Sequence, residues 1–575
     1  MKAEGKTRST SSVQACQNCK KDFKIEPEDF KFYEKIKVSP PTWCPECRMI
    51  RRFAFRNPWS LFWRNCDKCK IRTMSTYPPE DQITVYCPKC WWSDDWDGTE
   101  YAVDYDSQKP FLEQLKELSD KTPYASLETQ YATVKNSEYT NAIGWSKDCY
   151  LVFWSDYCES VYYSSIINNL KYSADCLRGF YSELCYESIG FKRCYRTFFS
   201  YECTDCVDVW FSRNCSGGNN LIGCVNLRGA SYSIFNVKYT KEEYEKKVKE
   251  LGLHTWSGLQ QLRKKSQEFW ASKPYREFNG NSLNLNVTGE YAYTSKNSKE
   301  LYLVGGLENC KWVQMVTVRP VEDSFDYSGW GNNASMIYES VNVGEHVNNV
   351  RFSVYCFPDC LNLEYCIWNI NGKNNFGCVN LKRKSYCILN KQYKKSEFEK
   401  LRTQIIEDMK KNPYIDKLGR TFSYGEFFPL EMGRFTYNKS SAIIFFPKTK
   451  EDAIKEGYTW NDTENTTAPS SIKASALPDT IKETTDSILD EVIECLSCAR
   501  AYKITHGELG LLRKLNLPVP RECPKCREGR RFAVLNKPGM HHRNCMKCER
   551  PIYTPYAPSD PRIVFCVPCY QEEFA

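Results

Sequence analysis

The chain has 575 residues, of which 41% are apolar and 14% aromatic, with 31 cysteines, five histidines and a formal net charge of +8. This length predicts several domains, and this composition supplies large cores, which excludes wholesale disorder and low-complexity fibre. The N-terminal MKAEGKTRSTSSV lacks the apolar stretch of a signal peptide and no run of ~18 apolar residues occurs. The expectation is a cytoplasmic protein with no membrane partner, in a reducing compartment where paired cysteines hold metal more often than they form disulfides.

A disordered tail is predicted over residues 1–15, then a cysteine module over 16–91. Four C-x-x-C pairs stand at Cys16/Cys19, Cys44/Cys47, Cys66/Cys69 and Cys87/Cys90, with 24, 18 and 17 residues between successive pairs. The same intervals recur at the other end, in a module over 491–575, at Cys495/Cys498, Cys523/Cys526, Cys545/Cys548 and Cys566/Cys569. A constant offset of 479 superposes all sixteen, and 26 of the 75 positions from Cys16 to Cys90 are identical, 18 of them not cysteine. This is an internal duplication. Two cysteines separated by two residues turn both thiolates toward one ion, and a second pair completes a tetrahedral S4 site. Four structural Zn2+ sites are therefore predicted, with sequential pairing preferred to an interleaved cross-brace. All-cysteine sites leave no open position for a catalytic water; a redox dithiol role is the alternative.

The segments CQNCKKDFKIEPEDFKFYEKIKVSPPTWCPECRMIRR and CLSCARAYKITHGELGLLRKLNLPVPRECPKCREGRR resemble the treble-clef "probable zinc-ribbon" family. The resemblance implies a first knuckle, an aromatic-rich hairpin, and C-P-x-C-R opening a helix. The order of parts along the whole chain resembles uncharacterised cysteine-rich zinc-ribbon proteins of candidate-phyla bacteria, for which no established activity follows.

Lys and Arg outnumber Asp and Glu 15 to 9 between Cys16 and Cys90 and 14 to 5 between Cys495 and Cys569, so the excess positive charge belongs to these modules. Arg48, Arg51 and Arg52 share one face of the implied helix, and Arg527, Arg530 and Arg531 repeat them; Arg64 and Arg543 also recur. Guanidiniums beside Phe53, Trp59, Phe62 and Trp63 suit phosphate contact with base stacking, RNA above all. The structural reading is that they cap carboxylates or support the zinc thiolates.

An acidic, aromatic junction follows over 92–125, carrying Asp94, Asp95, Asp97, Glu100, Asp104 and Asp106, and is expected to dock on a basic module or a partner. From 126 to 239 cysteines recur at steps of nine (Cys149, Cys158, Cys176, Cys185, Cys194, Cys203), with Ile167 filling one place, then after three at Cys206, Cys215 and Cys224, which reads as a β-solenoid with a nine-residue repeat. A second copy over 281–393 is marked by GCVNL at Gly223 and Gly377 and by CYES at Cys185 against IYES at Ile337. Slots that accept Leu301 for Cys149 and Ile337 for Cys185 are apolar core positions, not ligands. Helical segments are predicted over 240–280 (capping box Thr240/Glu243) and 394–460 (Ser396/Glu399), and a flexible linker over 461–490.

The fold class predicted is thus multidomain and mainly β, with two duplicated solenoids, helical connectors and a double zinc module at each end. No triad, phosphate loop or catalytic metal spacing occurs, so the expectation is a non-enzymatic binding protein that grips nucleic acid, RNA favoured, through its basic modules. The alternatives are a protein-assembly scaffold and, more weakly, a carbohydrate-binding or carbohydrate-acting β-helix.

Overall fold

The computed structural model describes residues 11–463 and 468–574. It is mainly β, with two large parallel sheets in the middle and a cysteine-rich module at each end. Of the predicted tail, Ser12–Ala15 is instead a strand, paired antiparallel with Asp22–Ile25 across the first knuckle; residues 1–10 lie outside the described residues.

In the first sheet ten strands follow one another in chain order. In all but the last pairing, which is antiparallel, the strands are parallel and partners lie twelve residues apart, as in Asn141↔Phe153, Asn168↔Phe180 and Asn219↔Ser231. Inside this ladder is an apolar core of its own, including Ile143, Cys149, Val152, Cys158, Val161, Cys176, Cys185 and Cys224, whose members are all separated by multiples of three. The residue before each of them has φ near +50°, as at Ala142, Asp148, Leu151 and Tyr157. The left-handed region turns the chain every third residue, and four such steps make one layer. That conformation is unfavourable for side chains larger than Gly, Asn or Asp. Here it is held by ladder bonds above and below.

The predicted nine-residue repeat is therefore corrected. The inward period is three, the layer is twelve, and a step of nine brings the next cysteine three corners on, one short of directly above. The step of three at Cys206 keeps the same phase. The inward positions are mostly Cys, Ser and Val, with Ile143, Ile167, Leu170, Phe191 and Leu221 among them. Inward serines accept from the backbone one layer on (Cys149 N to Ser137 Oγ, 2.9 Å; Cys176 N to Ser164 Oγ, 3.0 Å), and the cysteine thiols donate to nearby carbonyls (Cys176 Sγ to Ala174 O, 3.4 Å). These backbone polar groups are buried and satisfied.

The second sheet has thirteen strands, and its register is less regular: twelve at Gly289↔Leu301, fourteen at Gln314↔Ser328, thirteen at Ser335↔Asn348 and twelve again at Leu361↔Lys373. Its enclosed core holds larger groups where the layers lengthen, Tyr327 and Ile337 among them.

The helix Lys241–Glu250 starts at the predicted box, with Thr240 N donating to Glu243 and Glu243 N donating to Thr240 Oγ1. The later helix, Lys395–Lys411, starts two residues before the predicted Ser396 cap: its N-cap is Lys394, whose N–H donates to Glu397. The acidic junction docks chiefly on lysines at the end of the second sheet, with Asp97 against Lys384 at 2.6 Å and Asp104 against Lys391. The predicted linker is packed where it is described: Ala474, Leu477, Ile481 and Ile488 are buried in one core with Ile493 and Leu512 of the C-terminal module. Among the described residues no helix is long and apolar enough to cross a membrane.

Candidate metal centres and the arginine helices

Each pair of C-x-x-C motifs is built alike. The first pair sits in the turn of a short hairpin, such as Phe62–Asn65 with Arg72–Ser75 around Cys66 and Cys69. The turn closes with a left-handed residue directly after the second cysteine: Lys20, Lys70, Ala499 and Glu549 have φ between 57° and 62°. Where an aromatic-rich hairpin was expected between Cys19 and Cys44, Pro27–Lys35 is a helix with Pro at its start. The second pair opens a helix, Pro45–Ala54 or Pro524–Val534, with proline at the first turn, where its fixed φ fits and its missing N–H is no loss.

Four groups of four cysteines result: Cys16, Cys19, Cys44, Cys47; Cys66, Cys69, Cys87, Cys90; Cys495, Cys498, Cys523, Cys526; and Cys545, Cys548, Cys566, Cys569. Within each, the sulfurs all lie within 4.8 Å of one another. The grouping is sequential, not cross-braced. Sulfur separations of 3.8 Å for Cys19 to Cys44 and Cys69 to Cys87 and of 3.7 Å for Cys498 to Cys523 and Cys548 to Cys566 match the edge of a tetrahedron with metal–sulfur bonds of about 2.3 Å. Backbone N–H groups support the sulfurs: Cys44 N to Cys16 Sγ at 3.2 Å, Cys87 N to Cys66 Sγ at 3.1 Å, Cys523 N to Cys495 Sγ at 3.2 Å and Cys566 N to Cys545 Sγ at 3.3 Å. Donors of this kind stabilise thiolate charge, so each group could hold a metal ion.

The arginines predicted to meet nucleic acid point elsewhere. Arg48, Arg51 and Arg52 are 0% exposed. Arg48 reaches Asp326 at 2.8 Å, Arg51 reaches Glu339 at 2.7 Å, and Arg52 lies 3.3 Å from Asp326 while donating to Ser328 and Gln314. The second helix repeats the pattern on the first sheet: Arg527 and Arg531 each meet Asp175 at 2.6 Å, and Arg530 meets Glu187 at 2.9 Å. Arg530 alone keeps notable exposure, 34% of its side chain. Arg64 and Arg543 tie down equivalent loops, donating to Pro78 O at 3.2 Å and Ala557 O at 3.3 Å.

Each acceptor pair occupies left-handed positions in adjacent layers, Asp175 and Glu187 in one sheet and Asp326 and Glu339 in the other. Burial disfavours the Arg48 cation, yet Asp326 leads the groups that hold it well above its ordinary value; Asp175 does the same for Arg527. Burial would raise Glu187, but Arg263 and Arg530 bring it to about 2. The module at each end is thus fastened to the sheet farther from it in the chain. The sequence carried one clue, the CYES/IYES match that contains Glu187 and Glu339. The aspartates were missed because the intervening layer has thirteen residues in the second sheet and twelve in the first.

No protein family, no curated protein and no solved structure matches this chain. The treble-clef resemblance therefore rests on its motifs alone, and the four tetracysteine groups are what stands.

Proposed function

We propose that the protein is a zinc-stabilised, non-enzymatic scaffold for protein assembly. Four Zn2+ ions fold the terminal modules, and those modules clamp two β-solenoids side by side. The twelve-residue register with a three-residue inward period supports the solenoid reading, since a core that closes within each layer needs no second sheet to cover it. The observation that carries the function is the use of the arginine helices. Five of the six guanidiniums on the two helices are buried against carboxylates of the same chain. A buried, paired guanidinium is not available to a polyanion without breaking an ion pair that costs several kcal/mol to break.

The zinc-loaded full chain should therefore show only weak RNA binding that disappears at physiological salt, and its partners should remain bound after nuclease treatment. Tight, salt-resistant RNA binding would overturn the scaffold in favour of the nucleic-acid reading.

A further inference from the structure

Between the end of the helix Pro27–Lys35, the second sheet and the helix Lys395–Lys411 lies a groove of 650 Å³. Its volume is that of a small-molecule site, and it lies where three parts of the chain meet, a common place for one. The floor is a row of asparagines one layer apart, with Asn349 Nδ2 donating to Asn362 Oδ1 at 2.8 Å and Asn362 Nδ2 to Asn374 Oδ1 at 2.9 Å. Asn349 and Asn362 each use one amide N–H in the row and keep a second.

The wall carries surplus positive charge in a fixed geometry. Arg351 and Arg402 converge on the same oxygen of Glu364, at 2.8 and 2.6 Å, while the Tyr424 hydroxyl donates to the other at 2.8 Å. Glu399 also lines the groove, and the cations Lys35, Lys37, Arg351, Arg402 and Lys410 still outnumber its two carboxylates by three. Arg351 is anchored further by donating to Ile36 O at 2.6 Å. At the rim, exposed Lys37 makes no ion pair among the described residues, and Lys410 pairs only with exposed Glu407.

We infer that this groove binds a small polar ligand bearing an oxyanion, a carboxylate or a phosphate. The anion lies toward Arg402 and Lys37, and the ligand's hydrogen-bonding body runs along the asparagine row. The part-exposed Arg402, Lys37, unpaired among the described residues, and the amide N–H groups favour such an anion over a neutral or cationic ligand, while buried Arg351 serves to hold Glu364 in place. The zinc-loaded full chain would be titrated calorimetrically at low salt with succinate in one arm and inorganic phosphate in another. Saturable binding is expected in at least one arm, and the arm that binds tells carboxylate from phosphate. Lys37→Glu with Lys410→Glu should weaken it at least about tenfold. Lys246→Glu with Lys249→Glu, exposed on a distant helix, should leave it unchanged. No saturable binding in either arm, or equal loss in both double variants, would overturn the site.

Discussion

Arg51 and Glu339 meet at 2.7 Å in the interior, and their counterparts in the duplicated halves, Arg530 and Glu187, meet at 2.9 Å. Two duplications of different offset, 479 residues for the modules and 152 for the sheets at these glutamates, have kept this pair together. A contact that survives in both copies is a part of how the fold is assembled, and it gives the arginines a job that needs no outside partner.

Glu339→Gln should destabilise the chain by about 3–5 kcal/mol, because it leaves Arg51 buried without its anion. Arg51→Met combined with Glu339→Leu removes both charges and should lie within about 2 kcal/mol of the parent. Urea unfolding of the three proteins checks this; a single substitution as mild as the double one would mean the pair is not coupled.

Native mass spectrometry of the zinc-loaded protein should give four zinc ions per chain, and Cys87→Ser with Cys90→Ser should give three. Because that site ties the hairpin around Cys66 to the helix Pro88–Trp92, amide exchange should rise in those segments and stay slow around Cys16 and Cys44. An unchanged count of four would remove Cys87 and Cys90 from the ligand set.

The central cysteines should behave as small core residues. Cys176→Ser should cost no more than about 1.5 kcal/mol, since a serine there finds the same carbonyl acceptors, whereas Cys176→Leu adds bulk at a fully buried position whose neighbours are already packed and should cost about 1–3 kcal/mol. Neither should change the zinc content. Thermal or urea unfolding with metal analysis reads both.

Glu426 supplies a pH dependence. It is buried beside Arg51, accepts from Thr42 N at 2.7 Å with one oxygen and leaves the other without a partner. Burial lifts its carboxyl from 4.5 to about 7 against the pull of Arg51. The folded chain therefore holds this proton more tightly than the unfolded one. The resulting stabilisation is complete below the unfolded value and is lost as pH rises through about 7. Glu426→Gln, which fills the unpartnered position with an amide, should exceed the parent by about 1.4 kcal/mol at pH 5.5 and by about 3 kcal/mol at pH 8.5. A constant difference across that range would contradict the assignment.

The metal groups were legible in the sequence because their chemistry is local: two residues between cysteines and fixed intervals between pairs suffice to define them. The central cysteines were legible as core for a similar reason, since Leu301 and Ile337 replace two of them. The layer length was not. Cysteines mark only some inward corners, so their spacing of nine reports a walk around the layer and conceals its length, which only the pairing of Asn168 with Phe180 reveals. The arginines were misread for RNA because sequence places them on one helix face but does not say what covers that face. Their acceptors, Asp326 and Asp175, lie hundreds of residues away.

The crossed fastening of the ends bears on how the chain could be divided. A break between the two sheets, after the helix Trp256–Ala271, would yield one fragment holding the first sheet and the N-terminal module, and another holding the second sheet and the C-terminal module. Each fragment would then carry the clamp that fits the other. Co-expressed halves of this protein should therefore complement each other, because the two duplications are interleaved.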